Sequence, residues 1–347
     1  MKTFKETEKL YRQLPKALLP WYQENARTLP WRENKDPYRV WVSEIMLQQT
    51  VVKTVCGYYD RFLTAFPSVQ DLAVADDDKL MKLWEGLGYY SRARNLKKAA
   101  QQIVCDYQGE FPQKYEDILS LSGIGTYMAG AIASICFEQP KAAVDGNVLR
   151  VLSRIMEEDE PINHEKTKKQ MADCLEKVYP QKECGNFTQS LIELGALICT
   201  PKTPKCTHCP AKEFCLAHKN HTIEHYPVKK TLSEKKLEYK TVFLLRCGER
   251  MALERRTEKG LLSDLWQFPN TDGLLNADDA VKYSESYGIC PQALVSERHD
   301  KHIFTHKRWE MVCYEIQCTN EVPQFVWVSR KQLKTDYALP TAFRKFI

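Results

Sequence analysis

No run of about 18 apolar residues occurs in the 347-residue chain, so no segment is long enough to span a membrane as a helix. The N-terminus, MKTFKETEKLYRQ, lacks the hydrophobic core of a secretion signal, and the chain is expected to stay in the cytosol. The 13 cysteines are odd in number. Without a secretion signal they point to free thiols and metal ligands in place of a disulfide framework. Net charge is also scarce, only +5 at pH 7. The excess lies in residues 200–237, where eight lysines face three glutamates. Such a segment is either a solvated basic linker or a patch that faces nucleic acid.

What remains is a globular composition, 43% hydrophobic and 27% charged, in a chain long enough for two domains with separate cores. From Tyr11 to about Ile198 apolar residues recur three and four apart, which predicts an all-α domain over 1–215. Asp36-Pro37 reads as an N-cap followed by proline at the first helical position, opening a helix through Val42, Ile45 and Met46. Residues 216–236 hold Pro227 and several lysines and read as a linker. Beyond it the period changes. TVFLLR (241–246), MALERR (251–256), WQFPN (266–270), WEMVCYEIQ (309–317) and FVWVS (325–329) are strand-like, with a helical patch near Ala277 to Ser286. Residues 237–347 are therefore predicted to form an α+β domain.

Cys199, Cys206, Cys209 and Cys215 follow the spacing C-x6-C-x2-C-x5-C, tight enough to surround one metal centre. Only one C-x2-C knuckle is present, where zinc ribbons usually have two. A [4Fe-4S] cluster tolerates the uneven spacing, and spacing alone leaves cluster, zinc and free thiols open. Lys202, Lys205 and Lys212 lie between ligands, where a rigid clip would present them to phosphates. Leu121-Ser-Gly-Ile-Gly125, between two apolar helical patterns, permits a turn whose backbone N–H groups meet phosphate without reading sequence. Asp145, ahead of Gly146-Asn147 and an apolar period, can be an N-cap or a carboxylate kept ionised by a helix N-terminus. Glu44, in the apolar stretch VWVSEIMLQQT, is either a surface residue or an acid in a dry site that raises its pKa. Two carboxylates tuned in opposite directions suit glycosidic bond cleavage through an oxocarbenium-like state.

The cysteine spacing resembles that of the endonuclease III superfamily of DNA glycosylases. The hairpin followed by an aspartate about 20 residues later resembles the helix-hairpin-helix and Gly/Pro-Asp signature of the same superfamily. Within it, LPWR (29–32), SEIMLQQT (43–50), GLGYYSRARNL (86–96) and VDGNV (144–148) resemble the adenine DNA glycosylases of the MutY type. The resemblance implies a monomer acting on duplex DNA with adenine mispaired to 8-oxoguanine or guanine, in a bacterial cytoplasm at the nucleoid and away from membranes. It implies a helix-hairpin-helix domain whose loop 199–215 carries a [4Fe-4S] cluster on Cys199, Cys206, Cys209 and Cys215. Glu44 would protonate the flipped adenine at N7, and Asp145 would stabilise the sugar cation or bond to it transiently. Tyr127 and Asn147 would assist at the sugar and carboxylate. Arg32 and Trp31 would belong to the base and DNA site, with Leu47, Gln48, Gln49, Thr50 and Tyr89 near the lesion pair and Gly123 and Gly125 on the backbone.

Tyr127 stands where bifunctional relatives carry a Schiff-base lysine, which implies an abasic product on an intact strand. Lys141, near Asp145 in sequence, leaves weak lyase activity open. The C-terminal domain resembles the MutT-like (Nudix) domain of MutY-type enzymes but lacks an Arg-Glu-x-x-Glu-Glu run after Gly273, so nucleotide hydrolysis is not expected. Phe304-Thr305-His306 matches the family's Phe-Ser-His loop for 8-oxoguanine, with threonine in place of serine. The rival readings are an endonuclease III-like glycosylase/lyase on damaged pyrimidines and a non-catalytic iron-sulfur DNA-binding protein.

Overall fold

The computed structural model describes residues 4–230, 234–258 and 260–347. They form two compact units, the described residues of Met1–Val74 with Asn95–Thr231, and those of Ala75–Arg94 with Leu232–Ile347.

The first unit is helical. Asp36 caps the Pro37–Leu47 helix by accepting from the Arg39 N–H at 2.9 Å, and Pro37 occupies the first turn, where its missing donor costs nothing. This helix buries every residue from Val40 to Met46, Glu44 included. In the Gly146–Met156 helix everything from Val148 onward is buried. Val148, Leu152 and Ile155 pack with Leu14, Leu18, Phe187 and Leu191, each contributing roughly 1.5–3 kcal/mol by leaving water. The Tyr115–Ser120 and Thr126–Phe137 helices are joined by the expected hairpin. Gly123 turns it with φ +75°, and a Cβ there would lie 2.6 Å from the Asn95 Cβ, so shape and space both require glycine.

Among its described residues, the segment read as a linker holds regular structure and core contacts. Leu216–Lys219 is a short helix with Ala217 fully buried, Ile223 and Tyr226 pack on the core, and the Ile162 N–H donates to the Val228 carbonyl at 3.0 Å. Its few apolar residues were diluted by lysines in the sequence, yet Ala217, Ile223 and Tyr226 reach the core.

The second unit holds strands β1 (Lys236–Cys247), β2 (Arg250–Arg255), β3 (Trp266–Gln267), β4 (Asn270–Asp272), β5 (Pro291–Ile303), β6 (Lys307–Cys318) and β7 (Val326–Ser329). The order is β3-β2-β1-β6-β5, with β4 on β1 and β7 on β2; β1 and β6 run parallel. Side chains alternate along β1, so that Val242 and Leu244 join one core with Met311 and Phe343 while Phe243 and Leu245 join another with Tyr314 and Trp327. The predicted helical patch is the Ala277–Glu285 helix, capped by Asn276. β5 was not predicted, because its side chains are mostly exposed and two register shifts break their alternation.

Ala75–Arg94 differs from the sequence reading, which kept it with 1–215. Lys82 Nζ donates to the Leu333 and Tyr337 carbonyls at 3.1 and 3.0 Å, and the Leu339 N–H donates to Glu85 at 2.8 Å. The period of the Asp77–Trp84 helix reveals that it has an apolar face but not which core receives it. Among the described residues no helix is long and apolar enough to cross a membrane.

Candidate active site

The first unit contains a cleft of about 750 Å³ lined by Trp31, Arg32, Glu44, Leu47, Gln48, Gln49, Thr50, Tyr127, Asp145 and Asn147, which the sequence had singled out from four separate segments. Glu44 is 8% exposed. Burial pushes its carboxyl up to about 7, against a hydrogen bond from Tyr127; nearby Asp145 adds to the rise and Arg32 opposes it. Tyr127 Oη donates to Glu44 Oε2 at 2.5 Å. A carboxyl in this state is a proton donor at neutral pH.

Asp145 is the N-cap of the Gly146–Met156 helix: Oδ1 accepts from the Val148 N–H at 2.7 Å, and Oδ2 accepts from Asn147 Nδ2 at 3.0 Å. Burial raises its carboxyl on balance as well, although the donors from Val148 and Asn147 and the charge of Arg150 favour the anion, so the two carboxyls are shifted in the same direction and not, as the sequence suggested, in opposite ones. The N-cap and the catalytic carboxylate, alternatives in the sequence, are thus compatible in one residue. Arg150 fixes the Asn147 amide by donating to Oδ1 at 2.9 Å, and it also donates to the Gly195 carbonyl at 2.8 Å and the Cys199 carbonyl at 2.8 Å. Gly195 has no side chain because a Cβ would lie 2.6 Å from the Asn147 Cβ.

Arg27, Gln189, Glu193 and Arg150 were missed. Glu193, with no exposed surface, accepts from Arg27 Nε and Nη2 at 2.8 and 2.7 Å and from Arg32 Nη1 and Nη2 at 3.2 and 3.0 Å. Burial alone would raise its carboxyl, yet these two arginines hold it at about 2. Tyr22 Oη donates to Gln189 Oε1 at 2.6 Å on the cleft wall. The available signal was polar residues inside the apolar helix pattern TQSLIELGAL. Lys141 is not among the lining residues: it sits 4.7 Å over the Tyr115 ring and 4.0 Å from Glu176. Lys53 lines the mouth and is exposed.

Gly123 and Gly125 are exposed at the hairpin, and Gly125 caps the Thr126–Phe137 helix. Cys199, Cys206, Cys209 and Cys215 line one small cavity of about 20 Å³. Burial pushes the Cys209 and Cys215 thiols up to about 12 and about 11, opposed by backbone donors from Ala211 to Cys209 and from His218 and Ala217 to Cys215. Arg154 Nη1 lies 3.4 Å from Cys199 Sγ. Among the described residues no three Cys, His, Asp or Glu side chains form a ready single-ion site. Lys202, Lys205 and Lys212 are exposed around this loop.

The remaining predicted residues belong to the second unit. Tyr89, with φ 47° and 46% exposed, shares a 2.8 Å hydrogen bond between its hydroxyl and Thr305 Oγ1. Thr305 and His306 are exposed at the β5–β6 turn, whereas Phe304 packs on Trp309 at 4.8 Å and anchors the turn from beneath.

Residues 42–180 match the model of the HhH-GPD superfamily base excision DNA repair proteins, and residues 241–347 match a NUDIX domain. An adenine DNA glycosylase of Buchnera aphidicola subsp. Schizaphis graminum is 39% identical over 269 residues, 76% of this chain and 77% of that one. An adenine DNA glycosylase of Rattus norvegicus is 34% identical over 305 residues, 73% of this chain and 59% of the relative. Among solved structures, a thermostable thymine-DNA glycosylase superposes with TM-score 0.56 at 28% identity, covering 62% of this chain and 98% of that one. An endonuclease III–DNA complex, at TM-score 0.52 and 21% identity over 64% of this chain and 99% of that one, shares the fold. The chain belongs to the HhH-GPD superfamily of base excision DNA repair proteins and, within it, to the adenine DNA glycosylase family.

Proposed function

We propose that this protein hydrolyses the N-glycosidic bond of adenine mispaired with 8-oxoguanine or guanine in duplex DNA and leaves an abasic site. The observation that carries the reading is the pairing, in one cleft, of a carboxyl raised to about 7 with a carboxylate held by two donors. The target base must leave the stack to reach such a cleft. Glu44 delivers its proton to N7 of the flipped base, and the neutral adenine departs with the bonding electrons. Asp145 faces the positive charge that develops on the sugar, and water completes the hydrolysis. Gln189 has its oxygen occupied by Tyr22, so its amide N–H groups remain for an acceptor on the base edge. Position 127 is tyrosine and Lys141 is engaged elsewhere, which supports a product strand left uncut. Thr305, joined to Tyr89, reads the partner base through a hydroxyl that can donate or accept.

The four cysteines fit a [4Fe-4S] cluster: they line one cavity, backbone donors aim at two sulfurs, and Arg154 lies beside a third. When bound, the cluster supplies a structural clip that holds the lysine-bearing loop. Excision from duplexes with adenine opposite 8-oxoguanine, guanine and thymine tests the reading. Alkali-labile sites should arise at adenine in the first two and not the third. Cutting of oxidised pyrimidines with adenine untouched would overturn it.

A further inference from the structure

Glu193 is the most enclosed charge of the cleft region, and nothing in the reaction proposed above uses it. It accepts five hydrogen bonds from two residues: the Arg27 backbone N–H at 3.0 Å, Arg27 Nε and Nη2, and Arg32 Nη1 and Nη2. It is not among the lining residues, whereas both arginines are. The pair stands between the Cys184–Leu197 helix and the Leu29-Pro-Trp-Arg32 turn, which are about 160 residues apart in the chain. Arg32 continues outward over the Tyr22 ring at 5.6 Å, and Tyr22 fixes Gln189.

We propose that Glu193 is a positioning residue for adenine excision: it holds Arg27 and Arg32 on the cleft wall and neutralises part of their charge, so that Glu44 keeps its proton at neutral pH. This rests on the assignment of Glu44 as proton donor. The charged and titratable groups facing Glu44 are Tyr127, Asp145, Arg32 and Cys136; the Tyr127 hydrogen bond and the Arg32 charge both favour loss of the proton, and of the two only Arg32 acts through a positive charge that Glu193 can offset. Those facing Glu193 are Arg27, Arg32 and Tyr22. Two arginines against one internal carboxylate leave one net positive charge; without Glu193 they leave two. The field of Arg32 on Glu44 then grows, and the donor loses its proton at lower pH.

The test is single-turnover excision from adenine:8-oxoguanine duplexes by wild type, Glu193→Gln, Glu193→Asp and Arg27→Gln, measured from about pH 5 to about pH 9. Glu193→Gln should move the alkaline limb down by about one pH unit, so that its defect is about tenfold larger at high pH than at low pH. Glu193→Asp, which keeps the charge, should restore the limb even if its rate is lower. Arg27→Gln, which leaves Glu193 facing Arg32 alone, should hold the limb in place or raise it. A Glu193→Gln defect of equal size at every pH overturns the proposal. If that variant does not fold, a downward shift in Glu193→Asp or Arg27→Gln does so instead. A wild type that excises adenine with no alkaline limb near neutrality removes Glu44 as donor and the proposal with it, while excision of other bases alone refutes the function itself.

Discussion

Glu44 and Asp145 are both raised by burial, but only Asp145 has donors on both oxygens and a helix N-terminus beneath it, which counter the rise. Excision should therefore follow a bell in pH, falling above about 7 as Glu44 ionises and falling in acid as Asp145 is protonated. The same shift bears on stability. The folded state holds the Glu44 proton up to about 7 while the unfolded chain releases it near 4.5, so this contribution is present below 4.5 and is lost as pH rises through 7. Glu44→Gln should be inactive yet gain up to roughly 3 kcal/mol over wild type above pH 7, and little at pH 4, in thermal or denaturant melts. Asp145→Asn should lose about 10²–10³-fold or more in single-turnover rate while binding the mispaired duplex. Its melting temperature should barely move, because asparagine also caps helices, whereas Asp145→Ala should lose about 1 kcal/mol as well.

The hairpin and the Gly146–Met156 helix were legible because their signals are local: glycines between apolar periods, and an aspartate before one. The long-range contacts around the cleft were not. Arg27 and Glu193 meet across 166 residues, and Gly195 is glycine because of Asn147, a reason absent from its own helix. Gly195→Ala should push Asn147 and slow excision about tenfold or more with duplex affinity unchanged. Gly123→Ala should do the reverse, straining the turn by roughly 1–2 kcal/mol and weakening DNA binding while any bound duplex reacts at the normal rate. Stopped rate measurements at saturating enzyme separate the two. β5 escaped detection for the opposite reason: a strand whose side chains face water carries no apolar alternation to read.

At the scale of the molecule, the two-part plan and the four-cysteine loop were readable from a change of period and from spacing. The grouping of Ala75–Arg94 with the second unit was not, because it depends on carbonyls at Leu333 and Tyr337 that any sequence would supply. Tyr89 and Thr305 thereby share one body, and Thr305→Ala should narrow the rate difference between adenine opposite 8-oxoguanine and adenine opposite guanine without altering the cleft chemistry. Purified protein should be brown and contain about four irons. Borohydride should trap little covalent complex, since Lys141 is engaged with Glu176 and Tyr115. The double duty of Asp145 has a further consequence. A mutation to asparagine, serine or threonine replaces the cap and should keep the fold, so that the loss would fall on the chemistry and spare the protein itself. On the proposed function, such a variant would cover the mispair it binds without correcting it, whereas Asp145→Ala would also lower the amount of folded protein.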